Sequence, residues 1–197
     1  MRWLVSAVVM IYAATAAAQP VAAPKPPLCL TAGATCSTVL LLETTWGVKP
    51  IVASSSGNTT SGDLALEGGL VVNADDTQGF GGSAGLRFMA DAEAVPFVFR
   101  GRYRRWVSHR NNIDASVGLL LANTNRGGTG VTAQLAAERS GKIAIVLNVD
   151  VYSSHHNSDD TRHTVVEVGL AVKFCGLAGL GTGILTLLVA AAGRGTG

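Results

Sequence analysis

The sequence predicts an all-β fold, an up-and-down antiparallel β-barrel of eight strands. Eight segments of ten or more residues alternate apolar and polar side chains with period two, and no helical pattern lies between them. The side chains of a strand point alternately to the two faces of a sheet, so each segment has one apolar and one polar face. An open sheet of eight long strands would expose two edges, and closure into a barrel removes them.

The N-terminus has the pattern of a secretory signal peptide. Arg2 precedes an apolar run, and small residues at positions 16–18 end it, as at a signal-peptidase site. We therefore predict a signal peptide over residues 1–18 and an exported mature chain. An uncleaved membrane anchor is the alternative, but the apolar run is short for one.

Residues 19–38 are predicted to form a Pro/Ala-rich linker that contains a pair of cysteines. Residues 19–28 hold four of the six prolines, which is typical of extended chain. Cys29 and Cys36 enclose a short loop in an exported chain, and this favours a disulfide between them. The third cysteine, Cys175, leaves the connectivity open, and the spacing of the three predicts no metal site.

The barrel is predicted from residue 39 to residue 175. Its fourth segment, V-P-F-V-F-R-G-R-Y-R-R-W-V, shows the alternation clearly, because three arginines share one face and three aromatic residues share the other. The predicted strands are 39–51, 63–74, 79–90, 95–107, 112–123, 130–139, 142–152 and 163–175.

The connections between these strands differ in length at the two ends of the barrel. In an up-and-down barrel, the odd-numbered connections lie at one end and the even-numbered ones at the other. The odd ones include the long stretches 52–62 and 153–163, whereas the even ones are the short turns D-D-T-Q, S-H-R-N and S-G. This asymmetry is typical of membrane barrels, which have tight turns in the periplasm and longer loops outside.

One face of the strands carries nearly all the charges, and we predict that it lines the lumen. It holds six positive and six negative side chains. Ions in the narrow interior of an eight-stranded barrel must be paired, because a desolvated lone ion is costly. The predicted lumen charge network consists of Glu43, Lys49, Glu67, Arg87, Arg100, Arg102, Arg104, Asp114, Glu138, Asp150, Glu167 and Lys173.

The opposite face is nearly uncharged, with Arg105 as the exception, and we predict that it contacts lipid. The sequence therefore predicts a transmembrane β-barrel. The arginines of the fourth strand should point inward, toward carboxylates such as those of Glu67, Asp114, Glu138 and Asp150.

Over residues 39–175, the chain resembles the small eight-stranded outer-membrane barrels of Gram-negative bacteria. The resemblance lies in the architecture and the export signal, and V-G-L-A-V-K-F at residues 168–174 has the form of their terminal strand, although 23 residues follow Phe174. It implies a location in the bacterial outer membrane, with membrane lipid as the surroundings.

We expect a structural or adhesin-like surface-contact role. A lumen filled by paired charges would not serve as a general pore, and the loops 52–62 and 153–163 are the candidate surface for a partner. A net charge of +2 gives no basic footprint for nucleic acid. No cofactor is predicted, and the barrel is expected to be a monomer.

Two alternatives belong to other classes of function. A soluble lipocalin-like barrel would turn the apolar face inward around a hydrophobic ligand. An outer-membrane lipid-modifying enzyme would use Ser153 and the histidines near it, but these residues show no nucleophile-and-base arrangement at a recognisable spacing. No catalytic residue is therefore predicted, and whether the chain is an enzyme stays open.

The same loop holds weak candidates for metal ligands. His155, His156, Asp159 and His163 have suitable side chains, but their spacing matches no defined site. A solvated polar loop is the favoured interpretation, so no metal site is predicted.

Residues 176–197 form a Gly-rich apolar tail. It is uncharged until Arg194, and residues 184–192 are compatible with a short helix. Its length and its glycines argue against a transmembrane span. The alternative is a disordered end, and no function is predicted for it.

Overall fold

A computed structural model describes residues 26, 28–30, 32–53, 60–89, 96–121, 129–155 and 162–194. Eight antiparallel strands form a closed barrel in which each strand pairs with its neighbours in sequence and β8 pairs with β1. This confirms the predicted fold. The predicted signal peptide, residues 1–18, lies outside the described residues. The strands are β1 Thr38–Ala53, β2 Thr60–Asn73, β3 Gln78–Met89, β4 Phe97–Trp106, β5 Asn112–Leu121, β6 Gly130–Arg139, β7 Ile143–His155 and β8 Arg162–Cys175.

The strands next to the two long loops run further than their side-chain alternation indicated. Pairing of β1 with β2 continues to Pro50 and Thr60, and pairing of β7 with β8 continues to His155 and Arg162. Backbone hydrogen bonding does not need an apolar face, so it extends into polar sequence. The predicted loop stretches 52–62 and 153–163 are therefore partly strand, and their remaining parts, 54–59 and 156–161, lie outside the described residues.

Buried and exposed side chains alternate along the strands as the pleat requires. In β4, Arg100, Arg102 and Arg104 are buried. Phe97 and Phe99, at the odd positions, are 45% and 47% exposed. The polar face therefore lines the interior, and the apolar face lies outside.

One end of the barrel carries the even-numbered turns, and we call it the short-turn end; the other is the long-loop end. The turn between β6 and β7 is the tightest, with Ser140 and Gly141 both at positive φ. Two successive residues at positive φ within this three-residue connection match the twist of an antiparallel hairpin.

The N-terminal segment closes the short-turn end. A disulfide joins Cys29 to Cys36, and Cys175 is a buried free thiol. We call residues 28–37 the disulfide loop. Within it, Ala32, Ala34 and Cys36 are buried and form one apolar cluster with Val39, Leu41, Val71 and Trp106. Part of the predicted linker is thus packed structure.

A helix, α1, follows β8 directly and spans Gly176–Arg194. It is longer than the short helix at 184–192 that the sequence indicated. Gly176, at φ +63°, turns the chain out of the strand, and the helix packs on the outer wall over β1 and β8. No helix within the described residues has the length and hydropathy needed to span a membrane.

Two glycines explain the longer helix. A Cβ at Gly179 would lie 2.4 Å from the carbonyl oxygens of Leu42 and Phe174, and one at Gly183 would lie 2.8 Å from Thr44 Oγ1. Thr44 Oγ1 donates a hydrogen bond of 2.6 Å to the Gly179 carbonyl. Contact with the wall therefore offsets the low helix propensity of glycine.

Candidate functional site: the charged lumen

The lumen of the described barrel holds six cations and seven carboxylates, each at most 5% exposed except Asp63 at 6%. All residues of the predicted network lie inside, and pairing is extensive. The sequence interpretation missed Asp63, which has the same strand parity as Glu67 and could have been found from it. The buried charged residues are Glu43, Lys49, Asp63, Glu67, Arg87, Arg100, Arg102, Arg104, Asp114, Glu138, Asp150, Glu167 and Lys173.

Near the long-loop end, two cations and three carboxylates form the upper cluster: Lys49, Asp63, Arg87, Asp150 and Glu167. Arg87 donates to both carboxylate oxygens of Asp63, at 2.6 and 2.9 Å, and at 2.8 Å to Asp150. Lys49 donates to Asp150 and lies 3.5 Å from Asp63 and 3.6 Å from Glu167. Five strands are thereby joined across the lumen.

Tyr152 extends the upper cluster toward the loops. Its hydroxyl donates to Glu167 Oε1 at 2.7 Å, from a half-buried position.

The sequence pattern indicated that Asp150 pairs with the arginines of β4, whereas the structure pairs it with Lys49 and Arg87. It lies further along the barrel axis, opposite Lys49 and Arg87, because it is near the long-loop end of β7.

At mid-height, Arg100 and Glu67 form the central pair. Arg100 Nη1 donates to Glu67 Oε1, and Nη2 donates to Thr132 Oγ1 at 3.2 Å. Ser83 Oγ donates to the other oxygen of Glu67 at 2.9 Å and accepts from Arg102 Nε at 3.1 Å. A small hydroxyl thus bridges two layers of ion pairs.

Toward the short-turn end, Glu43 links the central layer to the lower one. Arg102 Nη1 donates to Glu43 Oε1 at 2.9 Å, and Lys173 Nζ lies 3.1 Å from Glu43 Oε2. Lys173 also donates to Gln134 Oε1 at 2.6 Å, and Gln134 donates to Asn148 at 2.9 Å. Neutral amides complete the hydrogen bonding of this layer.

Arg104 is the lowest cation of the lumen. It donates to Asp114 Oδ2 at 2.9 Å through Nη2 and lies 3.3 Å from Glu138 Oε2. Its guanidinium also lies over the Trp106 ring, 5.5 Å from the centroid, a favourable cation–π distance. The ion pairs therefore end directly on the apolar cluster that closes the short-turn end.

Small residues in the wall make room for these long side chains. A Cβ at Gly118 would lie 2.8 Å from Arg100 Cγ, and one at Gly85 would lie 2.8 Å from Glu67 Cγ. Both would also meet backbone carbonyls at about 2 Å. Only glycine allows the central pair to lie flat against the wall at these positions.

The disulfide loop is hydrogen bonded into the short-turn end. Asn73 Nδ2 donates to the carbonyls of Gly33 and Cys36, at 3.0 and 2.8 Å, and Trp106 Nε1 donates to Asn73 Oδ1 at 3.0 Å. The sequence interpretation did not find this contact, since nothing in the strand pattern places residues 32–36 beside the barrel.

The residues of the weaker candidate sites are mostly undescribed. His156 and Asp159, and the side chains of His155 and His163, lie outside the described part of the chain. Ser153 is described, and its hydroxyl contacts the Thr129 carbonyl at 3.4 Å. Within the described residues, no group of three or more His, Cys, Asp or Glu side chains could hold a metal ion.

No known family model matches the chain, and no curated protein is similar to it in sequence. A solved structure from the de novo design of transmembrane β-barrels is similar, with a TM-score of 0.41 and 12% sequence identity. The match covers 71% of this chain and 95% of the designed chain. The closed barrel itself follows from the strand pairing described above.

Proposed function

We propose that this protein is an outer-membrane β-barrel that spans the bilayer as a rigid, non-conducting scaffold and presents its longer loops for contact at the cell surface. The single observation that carries the proposal is the segregation of side chains in the barrel. Charges fill the interior, whereas large apolar side chains are exposed on the outside of every strand.

The exposed apolar face has the extent that a membrane requires. Soluble proteins rarely expose contiguous apolar surface beyond a few hundred Å², but here it surrounds the barrel. The shortest strands have 10 residues, and a tilted transmembrane strand needs about 9–11. Exposed examples, strand by strand, are Trp46, Leu70, Phe80, Phe97, Val117, Val131, Ile145 and Leu170.

The lipocalin-like alternative disagrees with this arrangement. It requires the apolar face to line a ligand cavity, and that face lies outside. An arginine such as Arg102, hydrogen bonded to Glu43 and Ser83 across the lumen, occupies the space where a hydrophobic ligand would bind.

The filled lumen supports a non-conducting role. Three layers of ion pairs cross the lumen, and the disulfide loop closes the short-turn end below them. We therefore expect no steady conductance in a planar bilayer, in contrast to a general porin.

The test of membrane insertion is cell fractionation followed by gel electrophoresis of boiled and unboiled samples. The proposal predicts an outer-membrane band that migrates faster when unboiled. A soluble periplasmic or secreted band without a heat shift would contradict it.

The surface-contact role has a separate test. Residues 54–59 and 156–161 would each be replaced by Gly-Ser sequence of equal length, and settling of dense cultures would measure contact between cells. We expect slower settling at unchanged outer-membrane levels of the barrel. Unchanged settling by both variants would contradict the contact role and leave the barrel assignment intact.

A further inference from the structure

The outer wall carries a groove that the proposed function does not use. It lies across β4–β7, has a volume of about 530 Å³ and is lined almost entirely by apolar atoms. Small residues at Gly101, Ala115 and Ala133 leave the depression, and Tyr103 and Leu135 flank it. The opposite side of the barrel is covered by α1, so the groove is on an uncovered wall.

The strand register places this groove beside exposed cations. Tyr103 pairs with Ala115, and the next outward row toward the short-turn end begins with Arg105, which pairs with Ile113. Two residues along a strand span about 7 Å. Arg105 is exposed on the lipid-facing side, so its guanidinium is one row below the groove.

Three more exposed cations border the same part of the rim. Arg110 is in the β4–β5 turn, Arg139 ends β6, and Lys142 is in the β6–β7 turn. Neither turn contains Asp or Glu. The salt bridges of the lumen carboxylates go to lumen cations, such as Arg87, Arg102 and Lys173.

We propose that this surface binds an anionic phospholipid of the leaflet at the short-turn end. An acyl chain would lie in the groove, and the phosphate would meet Arg105 and Arg139. The proposal rests on the membrane-spanning barrel proposed above. It commits to a phospholipid because cations at a membrane surface attract anionic headgroups, and because tight turns face the periplasm in such barrels.

The site recognises the headgroup and the chain through different residues. Arg105 and Arg139 supply charge-assisted hydrogen bonds to phosphate oxygens, whereas the small residues make space for the chain. A Cβ at Gly101 would meet only the Val117 carbonyl oxygen, at 3.9 Å. Gly101→Leu therefore fills the groove without straining the wall.

The experiment uses the full chain, folded in detergent and mixed with equal amounts of phosphatidylglycerol and phosphatidylcholine of matched acyl chains. Native mass spectrometry counts the lipids that remain bound. We expect the protein to retain phosphatidylglycerol preferentially. Arg105→Gln/Arg139→Gln should bind it roughly 30-fold more weakly, because two charges near the headgroup are lost.

Two further variants separate the two parts of the site. Gly101→Leu should reduce retention of both lipids, because it removes space for the chain and leaves the charges. Arg126→Gln, in the connection between β5 and β6 at the opposite end, is the matched control and should bind as the unmodified protein does. A heat-shifted band from each variant shows that the barrel is folded.

Equal retention of the two lipids, or full retention of phosphatidylglycerol by the double arginine variant, would overturn the inference. A mass spectrum that shows a second copy of the chain bound in place of lipid would also overturn the inference. A barrel that inserts without preferring phosphatidylglycerol contradicts this inference alone. A chain that fractionates as a soluble protein contradicts the membrane proposal and this inference together.

Discussion

The two ends of the barrel are closed by different physical means. At the short-turn end, the disulfide loop packs an apolar cluster around Trp106, and Asn73 fixes the loop by hydrogen bonds. Near the long-loop end, ion pairs such as Arg87 to Asp63 and Asp150 hold the strands together. Apolar packing tolerates small changes, but a buried ion pair leaves a costly unpaired charge when one partner is removed. We therefore expect the upper cluster to be the more sensitive end.

The largest expected effect is the reversal of a central charge. The Arg102 guanidinium lies 2.5–3.7 Å from the carboxylates of Glu43, Glu67 and Asp114. Arg102→Glu removes this cation and adds a fourth carboxylate to the group, and should cost more than about 5 kcal/mol. We predict loss of the heat-shifted band. Arg126→Glu, in a connecting loop, is the control, and equal effects of the two substitutions would contradict a buried network.

The next prediction compares the two ends directly. Arg87→Met removes the cation that binds Asp63 and Asp150. It leaves Lys49 as the one cation of the upper cluster beside three carboxylates, and should lower the free energy of unfolding by about 3 kcal/mol. Glu138→Gln should cost about 1 kcal/mol, because Arg104 keeps Asp114 at 2.9 Å. Urea unfolding followed by tryptophan fluorescence measures the free energy of unfolding of both variants. A larger decrease in Glu138→Gln than in the upper-cluster variant would contradict the expected difference between the two ends.

Removal of the disulfide should loosen the short-turn end alone. Cys29→Ser/Cys36→Ser releases a short loop, for which chain entropy gives about 2–3 kcal/mol. Amide hydrogen exchange should become faster at Ala34, which donates to the His109 carbonyl at 3.2 Å, and should be unchanged in β7. Unchanged exchange at Ala34 would show that the apolar cluster holds the loop without the disulfide.

The smallest expected effect lies in the β2–β3 turn. Hydrogen bonds from the Thr77 hydroxyl and amide and from Gln78 lower the pKa of Asp75 from its ordinary 3.8 to about 2. This contribution to stability is present above pH 3.8 and is lost as the pH falls through 2. An NMR titration of the Asp75 carboxyl checks this, and a midpoint near 3.8 would mean that the turn is not ordered as described.

Much of the fold could be predicted from the sequence because strand parity is a local property. The alternation of Arg100, Arg102 and Arg104 with aromatic residues already separates the two faces of β4. The ion-pair partners across the lumen were harder to predict, because they depend on the height along the barrel axis at which each residue lies. Asp150 was for this reason expected beside β4, whereas it pairs with Lys49 and Arg87.

The two elements that the strand pattern could not predict are held by tertiary contacts. The disulfide loop is positioned by Asn73 and Trp106, residues distant in sequence. The first half of α1 is glycine-rich and is stabilised by its close approach to Leu42 and Thr44 on the outer wall. Neither contact leaves a periodic signal in the sequence.

The central claim is that the apolar face meets lipid while the lumen does not, and the tryptophans measure it. Trp46 is 49% exposed on the outer wall, and Trp106 is buried in the cluster at the short-turn end. With Trp3 replaced by Phe, Trp46→Phe and Trp106→Phe variants each leave one reporter, to be measured in bilayers of brominated phospholipid. We predict strong quenching of Trp46 and little quenching of Trp106. Equal quenching of the two, or an unquenched Trp46, would contradict the account.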